Sequence, residues 1–233
     1  MRAQRPDWKA YGLGGIPADS WGGWQRARLQ HDYWVAPDQM EWYFGPMIAP
    51  DPNFAERVPI AIPDNLRIHQ LASHQYLDEM LEDGDVDAVM YASEVPSFRR
   101  GSPNVARLFP NFREVEADYF RRTGIFQVMH TVVIKRDIYD KAPWVAISLY
   151  EAFVKAKGAA IQRQQNMGAL FSMLPWIGDH LREQREIIGD DPFAYGLERN
   201  RGLLETFFQY SLEQGLVNRA LTLEELVAPE TLG

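Results

Sequence analysis

LDEMLEDGDVDAVMYASEVPSF, residues Leu77 to Phe98, is the stretch whose grammar decides the fold class. Leu77, Met80 and Leu81 recur at helical spacing, and Gly84 is the residue that most readily takes the left-handed conformation closing a helix. Val86 to Tyr91 then reads as a strand, and Ala92 to Phe98 as the segment leaving its carboxyl end. Toward the N-terminus, Leu66 to His69, Gln39 to Phe44 and Tyr11 to Ile16 read as three more strands. A helix from Trp21 to Tyr33, capped by Asp19 or Ser20, lies between the first two. Strands alternating with helices predict an α/β sheet, partly parallel. Ligands of such sheets sit outside the carboxyl ends of the strands, which makes Ala92 to Phe98 the favoured place for a site.

Toward the C-terminus, Phe126 to Ile134 reads as a further strand, entered through Arg121 and Arg122 and stopped at Lys135-Arg136-Asp137. Alternation puts Phe126, Val128, His130, Val132 and Ile134 on one face, with His130 the only ionisable group in that row. Asp140 is the expected cap of a helix with Pro143 in its first turn, and Val145, Leu149, Ala152, Phe153 and Ala156 are its expected buried face. From Ala142 onward nearly everything is helical. Leu203, Leu204, Phe207, Phe208, Ser211 and Leu212 form a stripe ending at Gly215, Thr222 with Glu225 forms a capping box, and Pro229 stops the last helix. The expected organisation is an α/β lobe over 1–125, then a crossover strand and helical region over 126–233 that completes another lobe.

Composition narrows the function classes. The chain has 233 residues, 46% of them hydrophobic and seven of them tryptophan, enough to bury a core. It contains no cysteine, which excludes disulfides, thiolate chemistry and cysteine-ligated zinc. A formal charge of −8 argues against a general nucleic-acid binder. No run of about 18 apolar residues is present to span a bilayer, and the N-terminal MRAQRPDWKAYGLGG lacks the apolar core of a secretory signal.

Arginine is locally concentrated: Arg99, Arg100, Arg107, Arg113, Arg121 and Arg122 face only Glu114, Glu116 and Asp118 in the same window. Their planar, two-pronged donors suit a carboxylate, although the same residues would serve equally as a solvated, ion-paired surface. Arg99 and Arg100, just past a strand end, are the candidates for anion binding, with Ser93 and Ser97 beside them. The turn before the first helix offers backbone donors at Ser20 and Trp21, and Gly22 and Gly23 would allow close approach; they would equally allow tight helix–sheet packing. His130 has the ionisation range of a general acid or base, and a histidine in an apolar row also serves as a core residue with one backbone partner. His69 and His74 do not match a metal-ligating pair.

Several stretches together resemble the 4,5-dihydroxyphthalate decarboxylases. They are Gly15-Ile16-Pro17 followed by a helix and LQHDYWVAPDQMEW ending at Trp42, MLEDGDVDAVMYASEVPSF at Met80 to Phe98, the run from Asn104 to Phe153, and MLPW at Met173 to Trp176 with GDDPFAYGLERNRGLLETFFQYSLEQGL and LTLEELVAPETL after it. The resemblance implies a type 2 periplasmic-binding-protein-like fold, with one Rossmann-like lobe and the helical C-terminal part of an incomplete second lobe. Family members carry further chain before the point at which this sequence starts. They commonly show Pro-Glu-Tyr-Gln where this chain has Pro17-Ala18-Asp19-Ser20. The implied chemistry is decarboxylation without an organic cofactor, converting 4,5-dihydroxyphthalate to protocatechuate, and no metal ligands are assigned. His130 is the expected proton donor, Glu94 the alternative if buried, and Arg99 or Arg100 the holder of the retained carboxylate. A cytoplasmic location and a homo-oligomer are expected, the latter from apolar area left exposed near Trp144, Tyr150 and Phe207. Two other readings fit the same fold: a solute-binding protein of a transporter for a small anionic or aromatic ligand, marked by an export signal, and a non-catalytic relative that binds aromatic acids without turnover.

Overall fold

Four strands build one open, wholly parallel sheet in the order β3-β2-β1-β4: β1 (Ala10–Leu13), β2 (Glu41–Phe44), β3 (Arg67–Gln70) and β4 (Ala88–Met90). The computed structural model describes residues 10–13, 20–54, 66–127, 130–166, 168 and 171–231. It divides into two units, Met1–Pro110 with Phe207–Ala220, and Asn111–Thr206 with Leu221–Gly233.

The first unit holds the sheet, and both faces of a parallel sheet must be covered. Helix α1 (Ser20–Tyr33) covers one face, where Leu29, Val35, Met40, Trp42, Leu66 and Met90 make a buried cluster with Ile68 and Ala88 against it. Helix α2 (Leu77–Asp83) covers the other, where Leu77, Met47 and Val95 gather Tyr43, Val89 and Phe98. The close approach of α2 explains Gly12 in β1: a Cβ there would lie 2.8 Å from both Leu77 Cδ2 and Val89 Cγ1. Gly84 ends α2 with a φ of 82°, the left-handed cap its sequence predicts. The edge strand β3 is exposed and charged, with Glu41 of its neighbour held between Arg67 (2.7 Å) and His69 (2.6 Å).

The unit is closed by residues far along the chain. Helix α8 (Leu197–Glu213) contributes its last turns, from Phe207, to this unit. Phe207 stacks on Trp24 at 5.4 Å and Tyr210 meets the same ring edge-on at 5.6 Å. Arg26, fully buried, donates from Nε to Gln214 Oε1 at 2.8 Å, and Gln214 Nε2 donates to the Gly23 carbonyl at 2.8 Å. A buried charge demands such partners.

The second unit is helical: α4 (Phe112–Thr123), α5 (Arg136–Tyr139), α6 (Trp144–Gln165), α7 (Ile177–Ile187) and the first part of α8. Arg113 pairs with Glu183 to tie α4 to α7, and Tyr139 donates to Glu230 at 2.6 Å. The capping box at Thr222 and Glu225 is present, opening a short 3-10 turn over Leu223–Glu225. Arg201 reaches both Glu198 and Glu224, at 2.7 and 3.1 Å. The Arg201 hydrogen bond holds the Glu198 carboxyl below the usual carboxylate range, and a backbone donor with the same guanidinium does so for Glu224.

Three expectations fail here. The described residues between Phe126 and Ile134 carry no strand; His130, Val132 and Val133 are exposed, so His130 does not stand in a buried row. A β-rich pattern becomes a strand only where a ladder partner accepts it, and the described residues pair none with this segment. Asp140 ends α5 rather than capping α6, which is preceded by Pro143 at its N-cap. The apolar stripe of α6 is not buried either: Ala146 is the helix's buried residue, while Leu149 and Phe153 are 37% and 43% exposed. Trp144 is exposed as anticipated, but Tyr150 is half-buried and Phe207 lies against Trp24. Among the described residues no helix is long and apolar enough to cross a membrane.

Candidate functional site

The strand order creates a switch point. From β1 the chain passes through α1 to β2 on one side, and from β3 through α2 to β4 on the other side of β1. The connections on either side of the β1/β4 pair thus diverge, which in open α/β sheets leaves a crevice at the carboxyl ends of the strands. Leu13 and Met90, in register, mark that edge. Residues 91–100 follow β4 there, and α1 begins at Ser20 after β1. The side chains of Ser20 and Trp21 lie outside the described part of the structure.

Two of the expected ligand residues are held by one carboxylate. Asp78, 4% exposed at the start of α2, accepts the Ser97 backbone N–H at 3.1 Å to each oxygen and the Ser97 hydroxyl at 2.5 Å. Arg100 approaches the same carboxylate at 3.6 Å and pairs with Glu82. Ser97 is therefore fully buried within the short helix α3 (Pro96–Arg99), with its polar atoms engaged, and Arg100 is a half-exposed, neutralised cation. What this arrangement does is fix the segment that leaves β4.

The remaining residues present themselves to solvent. Ser93 and Arg99 are exposed, and among the described residues no carboxylate pairs with Arg99. Glu94 is exposed rather than buried and accepts Arg107 at 2.5 Å, while the Arg107 guanidinium lies 5.0 Å from the centre of the Phe98 ring. Arg107 thus belongs to the segment's own framework. His130 is in the second unit and exposed. Chemically, the strand-end segment offers one cation able to take a carboxylate and one hydroxyl donor. No group of three or more His, Asp or Glu among the described residues is placed to hold a metal ion.

Sequence reading missed Asp78. It looks like an ordinary acid in the first turn of a helix, where the helix dipole favours it, and its partner stands 19 residues away. The signal that could have found it is Pro96-Ser97 opening a helix directly after a strand, whose backbone donors need an acceptor from elsewhere.

The chain matches no protein-family model. It is 28% identical over 209 residues to a protein of Comamonas testosteroni. That protein is a 4,5-dihydroxyphthalate decarboxylase. The match takes in 90% of this chain but 63% of the decarboxylase, so the chain spans less than two thirds of that protein's length. The similarity supports the family assignment to which the sequence motifs point, and through it a relationship to decarboxylases.

Proposed function

We propose that the chain acts in the cofactor-independent decarboxylation of a dihydroxylated aromatic dicarboxylate, 4,5-dihydroxyphthalate to protocatechuate, within a type 2 periplasmic-binding-protein-like fold. The observation that carries the reading is the similarity to the Comamonas testosteroni decarboxylase, which extends over nearly the whole chain. The exposed Arg99 beside the switch-point crevice supports it, because such a site must hold an anion. In the proposed reaction the hydroxyl para to the departing carboxylate feeds electron density into the ring. A general acid protonates the ring carbon bearing that carboxylate, and the carbon–carboxylate bond then breaks with loss of carbon dioxide as aromaticity returns. Arg99 takes the retained carboxylate and Ser93 a ring hydroxyl, with Ser20 and Trp21, at the start of α1, as the further substrate contacts of this proposal. His130 is the proposed proton donor. Its exposure leaves it open to solvent protons, whereas Glu94, exposed and tied to Arg107, lacks the burial that its part as the alternative acid required.

Purified chain incubated with 4,5-dihydroxyphthalate is expected to yield protocatechuate, read by chromatography. Arg99→Gln should raise KM about tenfold or more through the lost charged hydrogen bond, and His130→Gln should lower kcat about 100-fold. Absence of product from the wild-type chain sinks the activity. Wild-type rates in His130→Gln sink the assignment of the acid.

A cytoplasmic location and self-association belong to the same proposal. Support for the second comes from apolar side chains left uncovered in the second unit, with Val133 87% exposed, Trp144 66%, Trp176 68% and Met173 101%. Partly exposed aromatics of this size each leave on the order of 100 Å² of apolar surface in water that a second copy could cover. Light scattering is expected to give a dimer or higher species, and replacing Trp144 and Trp176 by Gln should shift it toward monomer. A monodisperse wild-type monomer at micromolar concentration counts against self-association.

A further inference from the structure

Arg99 stands on a helix that cannot hold its own direction. Helix α3 is a single turn, Pro96–Arg99, far too short to persist in water by itself. Whatever aims Arg99 must therefore come from outside that turn. Val95 and Phe98 pack into the cluster around Leu77 and Met47, Ser97 is fully buried, and Arg99 is left exposed at the end of the turn.

The outside support converges on one side chain. Asp78 accepts the Ser97 backbone N–H and hydroxyl and lies 3.6 Å from Arg100. Its own place is set by the sheet. The backbone N–H groups of Leu77 and Asp78 donate to the carbonyls of Pro46 and Met47, at 2.9 and 3.0 Å, in the segment that leaves β2. Beyond α3 the chain reverses at Gly101, with a φ of 75°, and the Ser102 N–H donates back to the Ser97 carbonyl at 3.0 Å. Asn104 then donates to the Glu82 carbonyl at 3.1 Å, and Glu82 pairs with Arg100, so α2 grips the segment on both sides of Arg99. Bonds thus run from the end of β2 through Asp78 to Ser97, two residues before Arg99. At 4% exposure Asp78 is closed to a ligand, and its effect on one has to pass through the residues it holds.

The geometry points to Asp78 as the positioning residue of the strand-end anion site, a role that rests on Arg99 being the holder of the substrate carboxylate. By fixing α3, Asp78 aims the Arg99 guanidinium before substrate arrives. A guanidinium takes a carboxylate through two parallel bonds and depends on its angle of approach. A donor fixed beforehand also spares the entropy of ordering it on binding. Freeing α3 is therefore a loss of affinity, with the chemical step left alone.

The test is a double-mutant cycle in the full chain: wild type, Asp78→Asn, Arg99→Gln and the two together. It is read by decarboxylation of 4,5-dihydroxyphthalate and by calorimetric binding of phthalate, which lacks the hydroxyls that the reaction needs. Asp78→Asn is expected to raise KM and the phthalate Kd about fivefold while kcat stays within about twofold. The pair should be no worse than Arg99→Gln alone, because nothing remains to aim. A merely structural loss would instead add to that of Arg99→Gln, and such additivity overturns the proposal. Ser97→Ala keeps the backbone bond to Asp78 and should give about a threefold rise that likewise disappears beside Arg99→Gln. It carries the cycle if Asp78→Asn does not fold. Product from the wild type with an unchanged KM in both variants refutes the role of Asp78 and leaves the decarboxylation standing. Arg99-dependent phthalate binding that both variants weaken, without product, refutes the decarboxylation and leaves the role standing. A wild type that neither turns over nor binds refutes both.

Discussion

Asp78→Ala is expected to destabilise the first unit by about 3 kcal/mol, because a buried serine would lose every acceptor it has. Asp78 takes the Ser97 backbone N–H and hydroxyl, and it lies beside Arg100. With the carboxylate gone, two buried donors have no water to turn to, and each unmet buried group costs roughly 1–3 kcal/mol. Asp78→Asn keeps one acceptor oxygen and should cost less. The double variant with Ser97→Ala separates the mechanism from plain loss of packing, since removing both partners removes the unmet hydroxyl. Urea unfolding of wild type, Asp78→Ala, Ser97→Ala and the double variant measures the coupling. If Asp78→Ala melts within about 0.5 kcal/mol of wild type, in the range of ordinary surface changes, the carboxylate does not hold the segment after β4.

Trp42→Ala should cost about 3–5 kcal/mol. Trp42 is completely buried in β2, paired on both sides, and its ring packs within the cluster of Leu29, Met40, Leu66 and Met90. Its Nε1 donates to the Pro37 carbonyl at 2.8 Å. Truncation leaves a cavity under α1 and frees that carbonyl at once. Trp42→Phe keeps most of the ring and loses the donor, so it should cost about 1–2 kcal/mol. Equal loss in the two variants would mean that the hydrogen bond, not the volume, dominates. Chemical denaturation followed by tryptophan fluorescence distinguishes them.

What could be read from the sequence was local. Leu77, Met80 and Leu81 ending at Gly84, the strands around Trp42 and Val89, and the Thr222–Glu225 box all rest on spacings of a few residues, and each has its counterpart in the structure. The strand expected around His130 depends on a partner ladder, a property no spacing records, and the described residues there form none. The stripe on α6 shows the same limit: Leu149 and Phe153 recur at helical spacing, but periodicity names an apolar face without naming what covers it. At the strand ends the position of the segment was legible and its internal wiring was not. Ser97 and Arg100 looked like ligand-binding residues because they follow a strand end, whereas a carboxylate about twenty residues earlier takes hold of both. Arg26 and Gln214, separated by 188 positions, were beyond any local pattern.

The bond between Arg26 and Gln214 also sets a timetable for synthesis. The sheet and α1 emerge from the ribosome within the first 110 residues, but the aromatic and amide side chains that seal Trp24 and Arg26 come roughly a hundred residues later. At about 5–20 residues per second the nascent sheet waits on the order of 5–20 s with a guanidinium and an indole unsealed. Stalled or prematurely terminated chains ending before Phe207 would keep that gap permanently, and they should be prime clients for chaperones and proteases.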